Sequence, residues 1–95
     1  MKVEKYLKDL GVTKEGRVSG DEYIITLQDS DDFARTYSIL ETSNDLNIDD
    51  SLSLLSNTAS KIFYASSDYT ITLNANFNSD TYTLVAKENN EGEED

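Results

Sequence analysis

The sequence predicts an α+β fold, a small antiparallel sheet of about five strands with one or two helices packed on one face, in the order α-β-β-α-β-β-β. Three observations predict it. Val3, Tyr6, Leu7 and Leu10 fall at i, i+3, i+4 and i+7, one apolar stripe along a helix. Residues 69–77 (YTITLNANF) alternate apolar and polar without a break, the period of a half-buried strand. The connections between apolar segments are short and rich in Asp, Asn and Ser, which suits antiparallel neighbours because parallel strands need long crossovers.

The first helix is expected over 2–10. Glu4 and Lys8 add an i,i+4 pair in the favourable order, and Gly11 stands where a left-handed residue would end the helix, with Val12 ready for the accompanying apolar contact. Residues 13–21 contain two glycines and read as a loop. Residues 22–28 (EYIITLQ) read as a strand with Tyr23, Ile25 and Leu27 on one face. The cluster Asp29-Ser30-Asp31-Asp32 reads as a tight turn, and 33–40 as the returning strand of a hairpin, with Phe33, Tyr37 and Ile39 on one side and Arg35 near its edge.

Residues 41–50 are a polar, acidic connection. Ile48, Leu52, Leu55, Ala59 and Ile62 then keep a helical spacing, so a second helix is expected around 49–59, capped by Asp49 or Asp50, although its Ser, Asn and Thr residues are indifferent helix formers. Strands follow at 61–66, 69–77 and 81–87, joined by turns at Ser67-Asp68 and Asn78-Ser79-Asp80. Tyr69, Ile71, Leu73, Ala75 and Phe77 face inward, and so do Tyr82, Leu84 and Ala86; Tyr6, Tyr23 and Tyr37 join that core, while one of Phe63 and Tyr64 must be exposed. The 95 residues fit one domain, placed at 1–87, followed by a disordered acidic tail at 88–95.

Absent residue types exclude many chemistries. No Cys means no disulfide, thiolate nucleophile or Cys-based metal site, and no His removes the side chain that titrates near neutrality, together with triads built on it. No apolar run approaches a membrane span, and Lys2–Asp9 is not a signal-type stretch, so a cytoplasmic protein is expected. Asp45-x-Asn47-x-Asp49 matches the first ligands of a calcium loop, but Asp50 stands where glycine should be and Ser56 where a bidentate Glu is needed. Among so many acids, any carboxylate pair at glycosidase spacing carries no specificity. No enzyme activity, cofactor or metal is expected.

Charge is the strongest signal. Nineteen Asp and Glu against eight Lys and Arg give −11. Phosphate backbones and anionic leaflets repel such a surface, so neither nucleic acid nor membrane is an expected direct partner. The acids concentrate at connections, and turns sit at the rims of a small sheet. A strongly basic partner, such as a nucleic-acid-binding protein with a Lys/Arg channel, would reward that arrangement. The candidate contacts are Asp29, Asp31, Asp32, Asp45, Asp49 and Asp50.

In size, acidity, lack of Cys and richness in Asn, Asp, Ser and Tyr, the whole chain resembles the DNA-mimic inhibitors of bacteriophages and mobile elements, among them anti-CRISPR proteins. The resemblance is one of class and shares no motif. It implies an inhibitor, monomeric or weakly homo-oligomeric, that occupies the basic nucleic-acid site of a partner such as a Cas nuclease. The alternative is a small structural or assembly β-module of a phage or surface, for which the uncharged Thr70, Thr72, Asn74 and Asn76 would supply a contact face. A regulatory domain binding metal weakly is the third reading.

Overall fold

The first helix, α1 (Lys2–Leu10), forms where its apolar stripe requires it and ends as its glycine dictates. Gly11 adopts φ +115°, its N–H bonds to the Lys8 carbonyl, and Val12 N–H bonds to the Leu7 carbonyl at 2.9 Å. That is a Schellman closure, with Val12 and Leu7 both buried behind it. In this computed structural model, which describes residues 2–50 and 53–89, the remaining elements are β1 (Arg17–Ser19), β2 (Glu22–Leu27), α2 (Ser30–Glu41), β3 (Asn47–Ile48), β4 (Leu54–Leu55), β5 (Ala59–Ala65), β6 (Tyr69–Asn76) and β7 (Thr81–Glu88).

Among the described residues the sheet has seven strands, ordered β1-β2-β7-β6-β5-β3, with β4 also on β5. Every strand pairing among the described residues is antiparallel, and β5, β6 and β7 form the expected meander. Residues opposite each other on antiparallel strands share a face. One face is therefore a stack of cross-strand rows: Tyr23–Ala86–Ile71–Tyr64, then Ile25–Leu84–Leu73–Ile62, then Leu27–Tyr82–Ala75–Ser60. All twelve are buried, and Val3 and Leu7 of α1 and Leu40 of α2 close over them in one apolar cluster. Each fully buried Leu or Ile contributes roughly 1.5–3 kcal/mol, so this face, and not helix propensity, holds the helices in place.

Among the described residues the opposite face carries no helix. Its central row is Arg17–Ile24–Val85–Thr72–Phe63, flanked by Thr26–Thr83–Asn74–Lys61–Leu54 on one side and Glu22–Lys87–Thr70–Ala65 on the other.

Several expectations are corrected. Residues 33–40 are not the second strand of a hairpin but the body of α2. Asp29, taken for a turn residue, is its N-cap and accepts the Asp32 N–H at 3.0 Å, while Asp32 reaches back to the Gln28 N–H at 3.0 Å. Phe33, Thr36 and Leu40, at i, i+3 and i+7, then face the sheet, whereas Tyr37 is exposed. Arg35 lies on the helix surface and bonds Asp32 at 2.6 Å.

The helix expected around 49–59 is likewise not formed in its described part; residues 51–52 fall outside the described residues. Instead β3 and β4 line the outer edge of β5. The hairpin partner of β2 is β1, inside the stretch read as a loop. Of the expected tail, Glu88 ends β7 and accepts the Lys2 and Val3 N–H groups at 2.9 and 3.3 Å, so it caps α1. Asn89 is also fixed, its N–H on the Asp68 carbonyl at 2.7 Å and its side-chain oxygen accepting from Thr70; 90–95 fall outside the described residues. Phe77 sits at the rim, 38% exposed, with its ring against Phe33 and Tyr82.

Candidate functional site

The strand registers decide where the acids go. Asp29, Asp31 and Asp32 follow the C-terminal end of β2, and Asp80 precedes β7 at that same end of the sheet. Asp45 precedes β3, whose Asn47 pairs with Ala65 at the far end of β5, so it lies at the opposite end with Asp21, Asp68 and Glu88. The two ends are separated by about 24 Å, the length of the eight-residue β6 at ~3.4 Å per residue. Asp49 donates its N–H to the Phe63 carbonyl at 2.8 Å on the outer edge of the sheet, and Asp50 is exposed beside it. The six candidate carboxylates therefore do not converge: three stand at one end, one at the other and two along an edge.

The ends also differ in how their charge is balanced. Asp32 accepts Lys14 Nζ at 3.0 Å and Arg35 Nη1 at 2.6 Å. The Lys14 bond first, then the Gln28 N–H and Arg35, hold its carboxyl at about 2. Two cations thus offset that triad, and Asp29 and Asp32 serve as helix caps besides. Asp31 is exposed and makes no ion pair among the described residues.

At the other end Asp21 meets Lys87 Nζ at 3.5 Å, while Asp45 and Glu41 are held by hydroxyls. Asp45 accepts Ser43 Oγ at 2.7 Å and Tyr6 OH at 3.1 Å, and those hydroxyls, Ser43 first, keep it below the usual carboxylate range. Glu41 accepts the buried Tyr64 OH at 3.2 Å. Tyr6 stacks on Tyr69, beside Asp68, with ring centroids 4.5 Å apart, so one aromatic pair ties α1, the Asp45 loop and the β5–β6 turn together. Burial, then Asp45, push the Tyr6 hydroxyl up to about 12; burial and Glu41 move Tyr64 the same way. Hydroxyl donors fix a carboxylate without neutralising it. Among the described residues neither Asp45 nor Glu41 meets a cation. Sequence reasoning found Asp45 there but missed Glu41, because 33–40 read as a strand and Glu41 as loop; the DxxD spacing of Asp29 and Asp32, a helix-start signature, was the overlooked signal.

Among the described residues no group of three or more acidic side chains is disposed to hold a metal ion. Asn47 runs extended against Ala65, so the Asp45–Asp49 segment does not wrap as a calcium loop must. No described helix is long and apolar enough to cross a membrane. A shallow groove of about 430 Å³ opens on the uncovered sheet face between Leu54, Lys61, Asn74, Asn76, Thr81 and Thr83.

Comparison of the chain with protein-family models, with curated proteins and with solved structures found no match.

Proposed function

We propose that this protein is a binding module that presents carboxylates to the basic, nucleic-acid-binding surface of a partner protein, acting as an inhibitor and not as an enzyme. The observation that carries the reading is the end around Asp45, where Glu41 and Asp45 are fixed by Tyr64, Tyr6 and Ser43 and meet no cation among the described residues. A pre-positioned carboxylate loses little side-chain freedom on binding, and it steers a cationic groove at long range. Of the candidates from sequence, Asp45 belongs to this end; Asp29 and Asp32 already serve as helix caps.

The test is competition: labelled duplex DNA bound to a set of basic DNA-binding proteins, a Cas nuclease with its guide RNA among them, is titrated with this protein at 50 and 200 mM salt (roughly 14 and 7 Å of screening length). Displacement at low salt that weakens steeply at high salt supports the reading. Replacing Glu41, Asp45 and Asp68 together by their amides should then weaken displacement at least tenfold, whereas Asp31→Asn should change it little. Absence of displacement from every protein at 50 mM salt overturns the proposal.

One observation favours a structural module instead. Leu54 and Leu55 on the terminal edge are 60% and 69% exposed, which is costly for a solitary monomer. A stable homo-oligomer by sedimentation, lost in Leu54→Ser/Leu55→Ser, would favour that second reading.

A further inference from the structure

The uncovered sheet face is nearly neutral in a molecule of −11. Arg17, Lys61 and Lys87 stand on it with Glu22. Glu15 lies beside Arg17 and Ile24, Asp21 pairs with Lys87, and Asp49 bonds the β5 edge, so the face and its rims hold three cations and four carboxylates. Residues 53–79, which form β4, β5 and β6, carry two charged side chains, Lys61 and Asp68. Charge on this face selects neither a basic nor an acidic partner. It suits a second copy of the chain, since two molecules of −11 repel at their acidic ends but not across a balanced surface.

The face is also complementary to itself. Glu22 and Lys61 make no ion pair among the described residues, and Lys61 lies 5.5 Å over the Phe63 ring instead. Within one molecule they cannot meet: β2 and β5 are three strand steps apart, about 14 Å, and the rows of Glu22 and Lys61 are four residues apart along the strands, again about 14 Å. The midpoint between them falls between Val85 and Thr72, neighbours in the half-buried central row Ile24–Val85–Thr72–Phe63.

Consider two such faces in contact, with a two-fold axis lying between them through that midpoint and at right angles to the Glu22–Lys61 line. Each Lys61 then stands over the other copy's Glu22, and one operation makes both pairs, as an isologous interface requires. Because the two offsets are equal, the strands cross at about 90°, the orthogonal class of sheet packing, and the central rows cross at the middle. The face measures about 19 Å from β1 to β5 and ~27 Å along the eight-residue β6. That is roughly 500 Å² per copy, less than the ~800 Å² of a standard interface and suited to a reversible one.

We infer that this protein forms a reversible homodimer by packing its uncovered sheet faces together about a two-fold axis, with Lys61 of each copy paired to Glu22 of the other. This goes beyond the carboxylate-presenting role. The ends that hold Glu41 and Asp45 stay open in the dimer, so dimerisation and displacement of DNA succeed or fail separately. It also differs from association through Leu55, whose pairing with Ser60 puts it on the helix-bearing face.

Sedimentation of the full chain from about 10 μM to about 1 mM, at roughly physiological salt, should show a monomer–dimer equilibrium. Lys61→Glu and Glu22→Lys should each weaken it at least tenfold, and Lys61→Glu/Glu22→Lys together should return it to within threefold of the parent. Net charge alone predicts otherwise, because Glu22→Lys lowers the charge from −11 to −9 and would tighten association. Lys61→Gln and Glu22→Gln, each expected to weaken the dimer at least threefold, serve should the reversals perturb folding. A carbodiimide, which joins an amine to a carboxylate in contact, should give a dimer band containing linked Lys61 and Glu22. Leu55→Ser should leave the equilibrium unchanged. A monomer at the highest concentration, tightening by Glu22→Lys, no recovery in the folded double variant, or a dimer lost in Leu55→Ser would each overturn the inference.

Discussion

The Asp29 carboxylate accepts the Asp32 N–H at 3.0 Å, and Asp32 in turn accepts the Gln28 N–H at the same distance, so the start of α2 is locked from both sides. An N-cap lost to alanine costs about 1 kcal/mol, within a range of roughly 0.5–2, whereas Asn caps nearly as well as Asp. Asp29→Ala should therefore lower the unfolding free energy read from urea curves by that much, and Asp29→Asn by a few tenths of a kcal/mol. Equal losses in the two variants would mean that charge at this end, and not the cap, stabilises the helix.

Asp32 also sets part of the acid stability. Its carboxyl, held by Lys14 and then by Gln28 and Arg35, titrates at about 2 in the folded protein against 3.8 for the free group. A depressed acid stabilises the fold above its unfolded value and loses that contribution as pH falls through the folded one. The share due to Asp32 is thus complete above pH 3.8 and disappears towards pH 2. Unfolding midpoints measured between pH 5 and 2 should fall less steeply in Lys14→Gln than in the parent, because its Asp32 titrates nearer the ordinary value. An unchanged slope would show that Lys14 does not reach the carboxylate in solution.

Much of the scaffold was legible where one pattern had one interpretation. The stripe of Val3, Tyr6, Leu7 and Leu10 with Gly11 behind it fits only a helix and its closure, and the alternation through β6 fits only a one-sided strand. The failures came where two periods overlapped. Phe33, Tyr37 and Ile39 satisfy a strand, while Phe33, Thr36 and Leu40 satisfy a helix, and the deciding bond was the Asp29 cap three residues upstream of Asp32. The stripe of Ile48, Leu55, Ala59 and Ile62 kept helical spacing by coincidence, and its Ser-rich interior favours side-chain bonds to the backbone instead. For the candidate site, sequence located the charge but not its balance. Which acids are offset by lysine and which are held by tyrosine depends on pairings up to 39 residues apart.

Two glycines separate steric from conformational demand. A Cβ on Gly16 would stand 2.5 Å from the Ile24 carbonyl oxygen and 2.8 Å from Ile25 Cγ1, just before β1, where the Gly16 N–H bonds the Tyr23 hydroxyl at 2.9 Å. Gly20 has open space around it but sits at φ +63° in the β1–β2 turn. Gly16→Ala should cost about 1–3 kcal/mol through displaced backbone, and Gly20→Ala roughly 1 kcal/mol through left-handed strain. Asn should be tolerated at Gly20, since it enters that region more readily, and not at Gly16. Thermal melts of the four variants would show it; a Gly20→Asn variant as unstable as Gly20→Ala would mean that something other than φ governs the turn.

The outer edge of the sheet depends on one hydroxyl. β3 ends at Ile48 and β4 begins at Leu54, so the partner of the Phe63 N–H is not a strand carbonyl but Ser53 Oγ, at 3.0 Å. The same hydroxyl donates to the Asp49 carbonyl at 2.9 Å, and the Ser53 N–H bonds that carbonyl at 3.1 Å. Breaking the edge into two dipeptides denies a neighbouring chain a continuous row of backbone groups, a common defence against edge-to-edge pairing. Ser53→Ala should leave the half-buried Phe63 N–H without its partner and cost about 1–3 kcal/mol, while Ser53→Thr keeps the hydroxyl and should cost much less. Hydrogen exchange of the Phe63 amide is the direct readout: it should accelerate in the alanine variant and not in the threonine one. If its protection survives in Ser53→Ala, a backbone carbonyl holds that N–H in solution and the edge is a continuous strand, open to pairing with a second chain.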